Sequence, residues 1–153
     1  MPLLGKQIVA AALFLIAGCS TYDAEGNVAT GPFGQQPLFT EDVQMAFRSG
    51  VIACAEFKTS NAPLANLASQ GFSPVRNGYL IRVDNPRIAL GGSRVRVTVR
   101  RDECRVDAEP LFPAEITTAS RLTRETLAQR GLELDVTLRG GTRSNVGFAQ
   151  AIF

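Results

Sequence analysis

Residues 93–100, with the sequence SRVRVTVR, alternate without a fault between valine and polar or charged side chains. Successive side chains of a β-strand point to opposite faces of its sheet, so Val95, Val97 and Val99 share one face and the arginines share the other. This run constrains the fold more than any other segment of the chain. It predicts a strand with one buried face and one solvated face.

A second alternating segment follows at once. Asp102-Glu103 predicts a tight turn, and residues 104–108 then alternate again, which places Cys104 on the buried side together with Val106. Pro110 and Pro113 are expected to end the sheet at this point. Alternation or composition predicts three more strands, at 78–84, 132–138 and 145–153, with a turn at 139–142 before the last one.

Three segments have helical spacing. Thr40 is a candidate cap for the first helix, whose predicted buried stripe is Val43, Phe47, Gly50, Val51, Cys54 and Phe57. A short second helix is expected from Asn61-Ala62-Pro63 to Gln70, and a third over 114–130. The order α-α-β-β-β-α-β-β predicts a two-layer α+β domain over residues 40–153. An antiparallel or mixed sheet of about five strands would have helices on one face.

The amino-terminal segment has a different character. Lys6 precedes an uncharged run at 8–18, which is shorter than the roughly 20 apolar residues of a membrane span and is typical of a signal-peptide core. Residues 20–39 contain Gly, Pro, Gln and Asn without a period, and they are interpreted as a flexible tether.

The run ends in Ile16-Ala17-Gly18-Cys19, which resembles the lipobox of bacterial lipoproteins. The resemblance implies that residues 1–18 are a cleaved signal peptide and that Cys19 receives a diacylglycerol, with a further acyl chain such as palmitate on the new amine. Two or three acyl chains are enough for stable membrane anchoring. Ser20, in place of Asp, implies the outer membrane, with the domain facing the periplasm or the cell surface.

With Cys19 assigned to the lipid, Cys54 and Cys104 remain. An oxidising envelope compartment favours a disulfide between them, which would stabilise the domain by roughly 4 kcal/mol in the loop-entropy model. A redox-active dithiol and a metal site are the alternatives. The spacing is not CxxC, and the chain has no histidine to complete a metal site.

Arginine is concentrated in residues 76–105, where eight arginines stand against three acidic residues. Arg94, Arg96 and Arg100 share one face of the predicted strand, and guanidinium forks suit phosphates and carboxylates. These three are the candidate site for an anionic envelope ligand. The alternative is a solvated strand face whose charge discourages edge pairing.

The complete absence of histidine excludes Ser-His-Asp and Cys-His catalysis and histidine-ligated metals. No nucleotide-binding or nucleophile motif occurs, so no cofactor, metal or catalytic residue is assigned, and a net charge of +2 gives no reason to expect nucleic-acid binding. The leading hypothesis is a membrane-anchored, non-catalytic interaction or scaffold domain that contacts an envelope protein. An anionic-ligand module is the alternative. A small periplasmic enzyme using Glu, Asp or Tyr79 comes third.

Overall fold

Two α-helices, a short 3₁₀ helix and six strands are found in residues 37–85, 87–88, 91–143 and 146–153, the part of the chain that the computed structural model describes. In chain order they are α1 (Glu41–Ser60), the 3₁₀ helix (Leu64–Gln70), β1 (Ser73–Val75), β2 (Gly78–Val83), β3 (Ser93–Arg100), β4 (Glu103–Leu111), α2 (Pro113–Gln129), β5 (Thr137–Arg143) and β6 (Val146–Ile152). The predicted signal peptide, Cys19 and residues 20–36 of the predicted tether lie outside the described residues.

The strands form one antiparallel sheet in the order β1-β2-β3-β4-β6-β5. The predicted two-layer α+β class is confirmed, with six strands rather than about five. The additional strand is β1, which pairs with β2 through three residues only. Three residues are too few to show the alternation by which the other strands were recognised.

α1 begins where the sequence predicted. Thr40 accepts a hydrogen bond from the Val43 backbone N–H, and Glu41 and Asp42 occupy the first turn, where carboxylates suit the positive end of the helix dipole. The predicted buried stripe is confirmed, with Phe57 half-buried at its end. The stripe packs on β3 and β4.

A glycine sets the distance between α1 and the sheet. A Cβ atom on Gly50 would lie 2.8 Å from Cγ1 of Val106 and 2.9 Å from Cγ2 of Val97, closer than carbon atoms pack. One turn later, Cys54 lies beside Cys104 of β4, with the two sulfur atoms 2.01 Å apart, at disulfide bonding distance. Both cysteines are fully buried, as the two periodicities predicted.

The amino-terminal end of α2 is fixed by a buried carboxylate. Glu115 accepts hydrogen bonds from the backbone N–H groups of Phe112 (2.7 Å) and Phe39 (2.9 Å). Phe39 is 1% exposed and packs edge-on against Phe47, although the sequence placed it in the tether. Packing against the domain therefore includes a residue before the predicted boundary at residue 40.

The strand predicted at 132–138 begins five residues later in the structure. Residues 132–136 are not in a strand, although Leu132, Leu134 and Val136 do turn toward the core, and β5 covers Thr137–Arg143. The predicted turn at 139–142 is therefore wrong. Gly140 lies within β5. A Cβ atom there would come 2.0 Å from Cγ2 of Ile116, so the absence of a side chain permits the close approach of α2 and does not mark a turn.

Pro110 does not end the sheet as expected. β4 continues to Leu111, and its register against β6 shifts between Ala108 and Leu111. A bulge of this kind is one of the places where a sheet tolerates proline, because the lost N–H is not needed in the ladder.

Both α-helices pack on the face of the sheet that carries Val97, Val106 and Gly140, here called the inner face. The other face, here called the outer face, carries the alternate residues of the same strands. In the described part of the chain no α-helix lies against it. The polar side chains of the alternating pattern are collected there.

Candidate functional site

Seven arginines from four strands point to the outer face. They are Arg82 of β2, Arg94, Arg96 and Arg100 of β3, Arg105 of β4, and Arg139 and Arg143 of β5. The three outer-face acids of the described strands, Glu103, Asp107 and Glu109, all belong to β4. Six of the arginines therefore lie on strands to either side of β4, which carries the three acids and Arg105.

A shallow cavity of about 270 Å³ lies on this face. Five arginines (94, 96, 100, 105 and 143) and the three acids of β4 line it, together with Leu80, Thr98, Phe148 and Gln150. The cavity wall thus has an excess of two arginines over acids. Its position over the middle of the sheet follows from the strand order, since β3, β4 and β6 are central.

Two of the cavity arginines are held by carboxylates. Arg94 and Glu109 are directly opposite each other on β3 and β4, and their side chains form an ion pair of 2.8 Å. Arg105 reaches Glu103, two residues earlier in β4, through Nη2 at 2.8 Å. These partners offset part of the charge that the two arginines would offer to a ligand.

Arg143 is held differently. Its guanidinium carbon lies 4.6 Å from the ring centroid of Phe148, a cation–π arrangement, and within the described residues it forms no ion pair with a carboxylate. Arg143 reaches the cavity only because β5 and β6 form the adjacent hairpin. No sequence pattern links it to Arg94, Arg96 and Arg100.

Arg96 and Arg100 make no salt bridge within the described residues. Both are exposed at the residue level and stand on either side of Thr98. Of the three arginines that the sequence proposed as an anion site, the structure therefore leaves two without an ion pair and assigns the third, Arg94, to Glu109.

Asp107 is a partly buried carboxyl group of the cavity. Burial raises the pKa of Asp107 above the ordinary value of 3.8, and the neighbouring Glu109 acts in the same direction. A hydrogen bond from the Gln150 amide and the charges of Arg105 and Arg96 oppose the rise. Asp107 is thus partly occupied by Gln150 of β6, which lies opposite it in the sheet.

Arg105 has an unsatisfied donor. Its Nε is buried and has no hydrogen-bond partner within the described residues. Buried donors normally find an acceptor, because an unmade bond costs about 1–3 kcal/mol. The sequence counted Arg105 in the arginine-rich segment but did not assign it to the site.

The remaining predicted residues are placed as follows. Cys54 and Cys104 come together in the core, away from the cavity, and Cys19 lies outside the described residues. Among the residues that the structure describes, no group of three or more His, Cys, Asp or Glu side chains could hold a metal ion. In the same part of the chain, no helix has the length and apolar character needed to cross a membrane.

The cavity offers five guanidinium groups, three carboxyl groups and the neutral hydrogen-bonding side chains of Thr98 and Gln150. Comparisons with protein-family models, with curated proteins and with solved structures each gave no match. Functional inference therefore depends on the chain's own residues.

Proposed function

We propose that this chain is a lipid-anchored cell-envelope protein whose domain docks, without catalysing a reaction, on another envelope component through the outer face of its sheet. The observation that carries the docking proposal is the one-sided cover of the sheet. Helices occupy the inner face, and the outer face presents a cavity with five arginines.

The anchor part of the proposal is supported by the amino-terminal sequence. A positive residue, a short apolar run and Ile16-Ala17-Gly18-Cys19 follow in the order of a lipoprotein signal. The buried Cys54–Cys104 pair at bonding distance suits an oxidising compartment such as the periplasm. We infer an outer-membrane lipoprotein from Ser20 and from the resemblance already described.

Metabolic labelling with a palmitate analogue tests the anchor. We expect the label on the full chain and its loss in the Cys19→Ser variant, which should also leave the membrane fraction. The matched control is Cys54→Ser, which removes a cysteine of the predicted disulfide and should keep the label. Label retained by Cys19→Ser would overturn the anchor.

In-cell photocrosslinking tests the docking surface. A photoreactive residue in place of Thr98 lies in the cavity wall, whereas one in place of Arg124 lies on the exposed side of α2. We expect one dominant adduct from position 98 and none of the same size from position 124. Equal adducts from both positions, or none from position 98, would contradict docking through the outer face.

The chemistry of the cavity favours an anionic partner. Arginine forks make two parallel hydrogen bonds to a carboxylate or a phosphate, and the excess of arginines over acids gives the cavity a positive field. An acidic surface of an envelope protein and an anionic envelope ligand both meet this requirement. A reduced adduct yield from position 98 at high salt is expected, since exposed charges are screened.

A further inference from the structure

The outer face contains a smaller feature with more specific chemistry. Thr98 lies directly opposite Arg105 in the β3–β4 register, and Arg96 and Arg100 are two residues to either side of it on β3. Side chains two residues apart on a strand are about 7 Å apart, and directly paired ones about 5 Å. Three arginines thus occupy the positions next to Thr98 on the outer face.

The acids near this triangle have partners of their own. Glu103 is paired with Arg105 at 2.8 Å, Glu109 with Arg94 at 2.8 Å, and Asp107 accepts a hydrogen bond from Gln150. Arg96 and Arg100 keep their guanidinium groups free of ion pairs in the described structure. Glu103 and Asp107 lie opposite Arg100 and Arg96, so the three arginines around Thr98 exceed the carboxylates next to them by one.

Arg105 adds an unused donor to the triangle. Its Nη2 is occupied by Glu103, while its Nε–H is buried without an acceptor. An anion that entered the cavity and turned the guanidinium toward itself would supply the missing acceptor. The energetic reason for such a turn is the cost of about 1–3 kcal/mol for an unsatisfied buried donor.

We propose that Arg96, Arg100 and Arg105, grouped around Thr98 on the outer face, bind one phosphate group of an envelope ligand. The proposal rests on the docking function above and gives its chemistry. The oxygens of a phosphate group are arranged as a tetrahedron and can face guanidinium groups and a hydroxyl from several directions, whereas the two oxygens of a carboxylate lie in one plane. Arg94 is not part of the site because it lies four residues from Thr98 on β3 and is ion-paired to Glu109. Arg105 is also ion-paired, but it lies directly opposite Thr98 and its Nε has no acceptor in the described structure.

The test uses the full chain, purified in a nonionic detergent and titrated calorimetrically at constant chloride ionic strength. The probes are pyrophosphate and glycerophosphoglycerol, the soluble headgroup of a phospholipid. We expect saturable binding of one probe molecule per chain. Tighter binding of pyrophosphate would indicate a free phosphate compound, and tighter binding of glycerophosphoglycerol would indicate a lipid headgroup. Either result supports the site.

Glutamine substitutions locate the site. Arg96→Gln and Arg100→Gln should each weaken probe binding about tenfold, the loss expected for one charge-assisted hydrogen-bonding group. Arg94→Gln is the matched control on the same strand and face, and its binding should stay within about twofold. Arg96→Lys keeps the charge without the fork and should fall between the two.

Three results would overturn the phosphate site: equal weakening by all three glutamine variants, several probe molecules per chain, or no saturable binding of either probe. Circular dichroism of each variant checks that the exposed substitutions leave the fold intact. The docking function fails independently of these results. If the photocrosslink from position 98 persists while neither probe binds, the docking surface stands and the phosphate site is wrong.

Discussion

The two faces of the sheet are built from the same strands and have opposite properties. On β3, Val95 and Val97 are fully buried under the helices, while Arg94 and Arg96, one residue away, are exposed. The inner face is closed by apolar packing and the cysteine pair. The outer face is held by a few exposed ion pairs, which typically contribute little to stability. We therefore expect that substitutions on the inner face change stability and that substitutions on the outer face change binding.

The largest effect is expected at the cysteine pair of the inner face. Replacing Cys54 and Cys104 by Ser should lower the free energy of unfolding by about 4 kcal/mol, because the bridge constrains the intervening loop in the unfolded chain. Urea unfolding monitored by circular dichroism measures the change. Cys19→Ser, which removes the third cysteine, is the control and should unfold like the parent. Equal unfolding of the double variant would show that the pair is not covalently joined.

A smaller loss is expected where α1 crosses the sheet. Gly50→Ala puts a methyl group 2.8 Å from Val106, so overpacking should outweigh the gain in helix propensity and destabilise the domain by about 1–2 kcal/mol. Met45→Ala is the control, since Met45 is 54% exposed on the same helix and its truncation should change little. The comparison is made by urea unfolding. A stabilised Gly50→Ala variant would mean that the inner face has room to relax.

On the outer face, one substitution should stabilise the protein. Because burial raises the pKa of Asp107, the folded state binds its proton more readily than the unfolded state does. The cost of burying Asp107 is absent below the ordinary pKa of 3.8 and grows as the pH rises toward the folded pKa. Above the folded pKa the ionised group opposes folding in full. Asp107→Asn should raise the unfolding free energy at pH 7.

The advantage of Asp107→Asn should shrink toward zero as the pH falls through the interval between the folded pKa and 3.8. Chemical denaturation at a series of pH values follows the difference between variant and parent. Gln70→Ala, at an exposed position without an ionisable side chain, is the control and should show no such trend. A constant difference across the series would exclude ionisation of Asp107 as its cause.

The smallest effects on stability are expected from the cavity arginines. Arg94→Gln removes an exposed ion pair and should cost about 0.2–1 kcal/mol, whereas Arg96→Gln removes no ion pair and should be close to neutral. Thermal melts at low and at high salt measure the two, and salt should reduce only the Arg94 effect. The order is the reverse of that expected for phosphate binding. If Arg94→Gln had the larger effect on both stability and probe binding, stability and binding would not be separate properties of the outer face.

Strict alternation made part of the fold predictable. The runs 93–100 and 104–108 predicted which side chains are buried, and the helical stripe of α1 put Cys54 on the same core. The last hairpin was placed wrongly because alternation at 132–138 records which side chains face the core and not which backbone has a strand neighbour. Gly140 resembles a turn residue in the sequence and is a packing residue in the fold.

The alternating pattern alone predicts that one face of the sheet is apolar and the other polar, since a period of two separates valine from arginine whatever the strand order is. It also placed Arg94, Arg96 and Arg100 together. Only the tertiary structure decided which of them remain unpaired. The pairing depends on the register of β3 and β4, which sets Glu109 opposite Arg94. The β5–β6 hairpin separately brings Arg143 to the cavity. Ion pairs and cavities depend on contacts between distant segments, and the residues that lie opposite each other depend on the turns between strands as well as on the pattern of each strand.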